Sequence, residues 1–185
     1  MLLKLILVVL VASVSCETKR EFYQKLGNIL QEVIDTYDTF TTSLGQIIDG
    51  YNRIGSALDA SAAFQVIRHR IEHFTDSTNI NRLNRFCSEI QHKLGSIKTE
   101  QRRNNVIAIL IAINNVKNRW VEVQNVAFEL INAINELLTD VYMSYPNPAD
   151  TIRVSFNILR NLHDNGQQLR DNLIVAQTEA TEVFN

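Results

Sequence analysis

One uninterrupted pattern in the sequence constrains the fold more than any other. Eleven apolar residues follow one another in alternating steps of three and four: Val106, Ile109, Ile113, Val116, Trp120, Val123, Ala127, Leu130, Ile134, Leu137 and Val141. This spacing places all of them on one face of an α-helix. Asn118, Asn125 and Asn132 repeat every seven residues at the position farthest from that face, which suits a solvated surface. The pattern predicts a helix from about residue 99 to residue 145 that buries one face against other helices.

The same helical period runs through the rest of the chain and divides it into four arms of about forty residues. Gly55-Ser56 predicts a turn with Ser56 starting the next helix, "TDSTN" at residues 75–79 predicts a break, and Gly95-Ser96 predicts a second turn. Pro146 and Pro148 then interrupt the helical pattern before the last arm. The sequence therefore predicts an all-α, elongated up-down-up-down bundle of about five helices, with the second arm in two pieces.

Each of the other arms has its own predicted core stripe. In the first arm the stripe is Phe22, Leu26, Ile29, Val33, Tyr37, Phe40, Leu44, Ile47, Tyr51, Ile54 and Leu58. In the second it is Phe64, Ile67, Ile71 and Phe74, followed by Ile80, Leu83, Cys87, Ile90, Leu94 and Ile97. In the last it is Ile152, Phe156, Leu159, Leu162, Gly166, Leu169, Leu173, Ala176, Ala180 and Val183.

Two short features interrupt these regular patterns. "VIAILIAI" at residues 106–113 is apolar on all sides but much shorter than a membrane span, so we interpret it as a buried helix end. Gly166 lies in the middle of the last core stripe, where glycine disfavours helix. It marks a close helix crossing, a kink, room for a ligand or an exposed irregularity, and the sequence does not choose among them.

The first sixteen residues have the layout of a secretory signal peptide. Lys4 precedes an apolar run from Leu5 to Ala12 and then small residues up to Cys16. Cleavage after Cys16 predicts a secreted, extracellular protein whose single domain spans residues 17–185, with no transmembrane segment in the mature chain. An acylated Cys16, as in bacterial lipoproteins, is the less favoured alternative because Ser13 stands where leucine is usual.

Charge and cysteine content narrow the classes of function. The formal net charge of −2 disfavours a general nucleic-acid binder. A basic middle region, which includes "RHR" at 68–70, Arg82, Arg85, Lys93, Lys98, Arg102 and Arg103, is either a solvated face or a surface for an anionic partner such as lipid. Cys87 has no partner once Cys16 is removed and lies in a core stripe, which predicts a buried free thiol without a disulfide role.

The segment "HRIEH" at residues 69–73 matches the short zinc-ligand pattern of inverted zinc proteases. In that interpretation His69 and His73 would bind the metal and Glu72 would be the base. The core stripe of this helix contains Ile71, however, so the other four side chains should face solvent, and no third ligand stands out. We therefore predict solvated histidines and no metal site.

No other residue pattern points to catalysis. His92 and His163 are isolated in sequence, and His163 borders the last core stripe, which favours a hydrogen-bonded packing role. The sequence contains no nucleophile elbow or phosphate-binding glycine loop. We predict a protein that is not an enzyme and has no catalytic residues or cofactor.

Long amphipathic arms without disulfides can enclose an apolar cavity or lie on lipid. In this outline the chain resembles the exchangeable insect apolipoproteins of the apolipophorin type, which are secreted, disulfide-free helix bundles. Its stripes differ from theirs in being rich in Ile, Val and Asn. The sequence favours a secreted binder of hydrophobic ligands or lipid surfaces. The alternative is a secreted effector that presents a rigid helical surface to another protein, and a self-associating coiled coil is a third hypothesis.

Overall fold

The computed structural model describes residues 19–56, 59–141 and 143–182, and the predicted signal peptide, Leu58 and Val183 lie outside these ranges. The described residues form six α-helices and no strand, which confirms the all-α prediction. The helices are α1 (Lys19–Asn52), α2 (Ala60–Glu72), α3 (Thr78–Leu94), α4 (Glu100–Thr139), α5 (Pro148–Asp164) and α6 (Gly166–Glu182). Short 3-10 turns follow α1 at Ile54–Ser56 and α2 at His73–Thr75.

The six helices make the four predicted arms. The first arm is α1, the second is α2 with α3, the third is α4, and the fourth is α5 with α6. Each arm packs against the arms before and after it in the chain, and α1 closes the ring by packing on α5 and α6. This is the up-down-up-down order. One end of the bundle therefore holds the start of α1, the α3–α4 turn and the end of α6. We call it the amino-terminal end.

The predicted stripes form a continuous core. Side chains of Val33, Tyr37, Leu44, Ile71, Phe74, Ile113, Val123, Ile134, Phe156 and Leu173 are fully buried. In α4 the first nine of the eleven stripe positions are buried. The prediction was wrong for Val141, which is exposed, because α4 ends at Thr139 and Asp140 adopts a left-handed conformation at φ 55°.

A second correction concerns "VIAILIAI". Ile107 and Ile111 are exposed, so this segment is not buried on all sides. None of the helices in the described ranges is long and apolar enough to cross a membrane.

The second arm breaks where the sequence predicted, between Glu72 and Thr78. The Asp76 carboxylate accepts hydrogen bonds from the Thr78 backbone N–H at 2.9 Å and from the Thr78 hydroxyl at 2.7 Å. These bonds lower the pKa of Asp76. An aromatic cluster of Phe40, Phe74 and Trp120, with ring centroids 5.1 to 5.7 Å apart, fills the core beside the break. These rings therefore pack the core at the level where the second arm is interrupted.

The helix starts are partly as predicted. The expected start of the second arm at Ser56 was wrong, because Asp59 caps α2 by accepting from the Ala62 backbone N–H at 3.1 Å. In the fourth arm Asn147 is the N-cap of α5, and Pro148 stands at the start of the helix where its missing N–H has no cost.

The fourth arm is divided between Asp164 and Gly166, so six helices stand where about five were expected. The buried Tyr37 hydroxyl of α1 donates to the Gly166 carbonyl across the junction at 3.1 Å. A Cβ at position 166 would lie 3.1 Å from that hydroxyl oxygen. Of the interpretations of Gly166, the close approach to another helix is present, and the exposed irregularity is wrong because Gly166 is buried. Gly166 also lines a cleft, which is described below. Arg119 stabilises the junction by donating to the carbonyls of Leu162 at 2.9 Å and Asn165 at 3.2 Å.

Candidate functional site

An apolar groove of about 420 Å³ lies at the amino-terminal end of the bundle, between α1 and α3. It exists because α3 packs mainly on α4 and only lightly on α1, whereas α2 packs closely on α1. The break in the second arm thus separates a half that closes on α1 from a half that diverges from it. The first and second arms therefore pack closely where α2 meets α1, and a cleft remains between them where α3 lies beside α1.

The floor and walls of the groove come from residues of the two core stripes. Phe22, Leu26 and Ile29 of α1 face Ile90 of α3 across it. Leu26 and Ile90 are almost fully buried, and Phe22 is half-buried at the mouth. Pockets that hold one small molecule typically measure about 300–1,000 Å³ and are mostly apolar. The groove falls near the lower end of that range.

The rim of the groove is polar and mainly basic. It is formed by Lys25, Ser88, Glu89, His92 and Lys93. An ion pair between Lys25 Nζ and Glu89 Oε2 at 3.1 Å joins α1 to α3 across this rim. Both side chains are more than a third exposed, and exposed pairs of this kind contribute only about 0–1 kcal/mol. The pair is therefore a weak link between α1 and α3.

A second, smaller cleft of about 110 Å³ adjoins the groove at the α3–α4 turn. Phe22 and Lys93 belong to the linings of both cavities. The remaining wall of the smaller cleft is formed by Tyr23, Ser96, Ile97, Lys98, Thr99 and Arg102. Apolar and cationic surfaces thus stand side by side at this end of the bundle.

Two other clefts are lined mainly by residues with polar side chains. One, of about 480 Å³, lies at the α5–α6 junction beside Tyr37, His163 and Arg170. There Arg170 pairs with Asp38 at 2.6 Å, His163 Nδ1 lies 3.2 Å from Asp164 Oδ1, and burial raises the pKa of Tyr37 although Arg119 opposes that shift. The other, of about 330 Å³, lies beside Trp120 at the break of the second arm. In these clefts the hydroxyls of Thr36, Thr39 and Thr41 donate to backbone carbonyls of α1.

The "HRIEH" side chains lie as the stripe predicted. Ile71 is buried, whereas His69, Glu72 and His73 are exposed, and α2 ends at Glu72. His69 Nδ1 is 3.5 Å from Glu72 Oε2, so the glutamate is engaged with the first histidine. Among the residues that the structure describes, no three His, Cys, Asp or Glu side chains are grouped so that they could hold a metal ion.

The other residues that the sequence singled out, Cys87, His92 and His163, lie in three different places. Cys87 is buried as predicted, and burial raises the pKa of its thiol. His92, which looked isolated in the sequence, is exposed on the rim of the apolar groove. His163 is part of the polar cleft at the α5–α6 junction and also faces Gly45.

The groove itself was missed by sequence reasoning. Leu26, Ile29 and Ile90 were predicted as core residues, and two of the three are so well buried that nothing distinguishes them from their neighbours in the stripe. The relevant signal was the break at residues 73–77, which allows α3 to diverge from α1.

A further surface feature is the outer face of α4. Eight positions in steps of four and three carry only apolar residues and asparagines: Ile107, Ile111, Asn114, Asn118, Val121, Asn125, Phe128 and Asn132. Seven of the eight are exposed and Asn114 is half-buried. The predicted solvated position of Asn118, Asn125 and Asn132 is therefore confirmed, on a face that has no charged residue in these eight positions.

The fold and the groove together define an all-α bundle of four arms with an apolar groove and a basic rim at one end. No protein-family model, curated protein or solved structure matches this chain.

Proposed function

We propose that this protein is a secreted, non-enzymatic binder of small hydrophobic or amphipathic molecules, which it holds in the α1–α3 groove. One observation carries the proposal: an apolar cleft of about 420 Å³ remains open between two amphipathic arms. Apolar surface left in contact with water costs roughly 25 cal/mol per Å², so a ligand that covers it gains the corresponding free energy. A groove of this size fits one small ligand or one acyl chain.

The binding test uses a substitution that fills the groove without touching the core. Ser88 is an exposed groove-lining residue of α3, so Ser88→Trp places a large ring at the mouth. Ser61→Trp is the matched control, because Ser61 is also exposed on a helix but lies at the opposite end of the bundle. We expect a fluorescent hydrophobic probe, such as an anilinonaphthalene sulfonate, to bind the unaltered chain and the control equally. Ser88→Trp should weaken it by about tenfold or more.

Ligands already bound after purification provide a second readout. Organic extraction followed by mass spectrometry should recover an amphipathic small molecule from the unaltered chain and less of it from Ser88→Trp. Three results together would refute the proposal. Ser88→Trp would leave probe binding unchanged, extraction would recover no molecule, and lipid vesicles would change neither the helicity nor the melting temperature of the protein.

The secretion part of the proposal has its own test. Protein recovered from the medium of expressing cells should begin at Glu17, the residue after the predicted cleavage position. Retention of the full chain inside the cell would contradict it.

The outer face of α4 favours a second candidate function, the presentation of a rigid surface to a protein partner. Its eight-position repeat has the spacing that one helix offers to another. Ile111→Lys with Phe128→Lys should abolish recovery of a stoichiometric partner from the secreted fluid, whereas Val154→Lys with Val175→Lys, at exposed positions of α5 and α6, should not. Equal recovery with both pairs would exclude this face.

A further inference from the structure

The groove and the smaller cleft adjoin each other, and the surface becomes more polar from the groove to the cleft. Phe22 belongs to both linings at their apolar boundary, and Lys93 belongs to both at their polar boundary. Beyond this shared boundary the groove has an apolar floor of Leu26, Ile29 and Ile90 and a polar rim. The smaller cleft combines Tyr23 and Ile97 with the cations Lys98 and Arg102 and the hydroxyls of Ser96 and Thr99. A molecule that is apolar at one end and polar at the other matches both parts at once.

The charge of the smaller cleft selects the polar end of that molecule. Lys93, Lys98 and Arg102 contribute three cationic groups, and Ser96 and Thr99 contribute hydroxyl donors. On the groove rim Glu89 pairs with Lys25 at 3.1 Å and lies 3.8 Å from Arg85. Two exposed carboxylates stand near the lining residues in sequence, Glu100 in the first turn of α4 and Glu21 in the first turn of α1. Guanidinium and ammonium groups bind carboxylate and phosphate oxygens through charge-assisted hydrogen bonds.

The two volumes limit the size of the ligand. The smaller cleft, at about 110 Å³, has about a quarter of the volume of the groove, at about 420 Å³. The two together suit a compact polar head on a longer apolar tail. The groove, at about 420 Å³, lies near the lower end of the volume range of single-ligand pockets, which is enough for one acyl chain.

We propose that the cleft formed by Lys93, Lys98 and Arg102 holds the anionic head of a single-chain amphiphile, a fatty-acid or alkyl-phosphate type of molecule, whose tail lies in the α1–α3 groove. This inference rests on the proposed function, because it requires the groove to take the tail. It also assigns a role to part of the basic middle region of the sequence. These cations bind the ligand and are more than a solvated face.

The test compares probes that share one tail and differ in head charge. Dodecanoate, dodecyl phosphate, dodecanol and dodecyltrimethylammonium, each below its aggregation concentration, compete with a groove-bound fluorescent probe on the purified full-length protein. Inorganic phosphate and acetate are titrated separately. We expect the two anionic amphiphiles to bind at least about tenfold more tightly than dodecanol, the cationic one most weakly, and the free anions far more weakly than either.

Two double variants locate the head. Lys98→Gln with Arg102→Gln should reduce the affinity for dodecanoate and dodecyl phosphate about tenfold and leave dodecanol unchanged. The control, Arg153→Gln with Arg160→Gln, removes the same charge from α5, where Arg153 is exposed and Arg160 is half-buried. These residues lie away from the cleft, so the control should leave all affinities unchanged.

The outcomes separate the two proposals. If no dodecyl compound displaces the probe, both the groove function and the head site are refuted. If dodecanol binds as tightly as dodecanoate, or both double variants act alike, the head site is refuted and the groove stands. If inorganic phosphate binds as tightly as dodecyl phosphate, the cleft is a free-anion site and the amphiphile assignment is overturned.

Discussion

Replacing Gly166 by alanine tests the packing of the fourth arm, because two effects of similar size oppose each other there. Gly166 has no positive φ, so alanine fits its backbone, and the lower entropy of the unfolded chain should stabilise the protein by about 0.4–1 kcal/mol. The added Cβ, however, would lie 3.1 Å from Tyr37 Oη and 3.4 Å from Thr41 Cγ2. The sign of the change depends on whether Tyr37 can move away.

The surroundings of Tyr37 indicate that it cannot move freely. Its side chain is fully buried, its ring stacks on Phe40 with centroids 5.6 Å apart, and its hydroxyl donates to the Gly166 carbonyl at 3.1 Å. Overpacking costs about 1–3 kcal/mol and a weakened buried hydrogen bond costs about 1 kcal/mol. We therefore expect Gly166→Ala to destabilise the protein by about 1–2 kcal/mol, which lowers the melting temperature by about 2–8 °C for a chain of this length.

The same substitution should have the opposite sign when the hydroxyl is absent. In Tyr37→Phe the atom at 3.1 Å is gone and the closest remaining contact is an ordinary one, so Gly166→Ala should then stabilise by about 0.5 kcal/mol relative to Tyr37→Phe alone. Urea unfolding of the four proteins, followed by circular dichroism, measures the coupling. Gly166→Ala that stabilises the unaltered chain, or that has the same effect in both backgrounds, would refute the reasoning.

Three further predictions concern single features. Cys87 is buried with a raised thiol pKa, so Ellman's reagent should react with it slowly in the native protein and rapidly in urea; fast native reaction would contradict the burial. Glu136 accepts the Ser144 backbone N–H at 2.7 Å, and although burial alone would raise its pKa, its hydrogen bonds to the 143–145 backbone lower it. This stabilisation is present above the unfolded-state pKa and is lost as the pH falls through the folded one. The protection factors of the 143–145 amides, which correct for the intrinsic exchange rate at each pH, should therefore fall on acidification, and in Glu136→Gln they should not depend on pH. His69→Ala with His73→Ala should change the melting temperature by about 1–2 °C at most, and one equivalent of zinc retained by the unaltered chain through dialysis would reverse that interpretation.

Much of the architecture could be read from the sequence because a single period dominates it. Apolar residues such as Ile113, Leu130 and Phe156 recur at helical spacing, so each arm has one apolar face. A four-arm bundle is the arrangement that buries all four of these faces against one another. The break near residues 75–79 was visible for the same reason, since a run of polar residues interrupts the stripe. In the structure this break contains a turn in which the Asp76 carboxylate accepts a hydrogen bond from the Thr78 backbone N–H.

The features that escaped prediction depend on contacts between residues distant in sequence. The division of the fourth arm depends on Tyr37 and Arg119, which reach the junction from α1 and α4. The early end of α4 depends on Asp140 and on Glu136, whose carboxylate accepts hydrogen bonds from the loop that follows. The groove depends on how far α3 diverges from α1. The apolar spacing from Leu26 to Ile29 does not change with the distance to the neighbouring helix, so it could not predict the groove.

Photoaffinity labelling tests the central claim, that one anionic amphiphile lies along the α1–α3 groove, most directly. A fatty acid with a diazirine in its tail is irradiated with the purified chain, and the modified residues are identified by peptide mass spectrometry. We predict modification within residues 22–29 and 88–93, prevented by excess dodecanoate and by Ser88→Trp. Modification spread over the outer faces of the helices, or insensitive to competitor, would contradict the account.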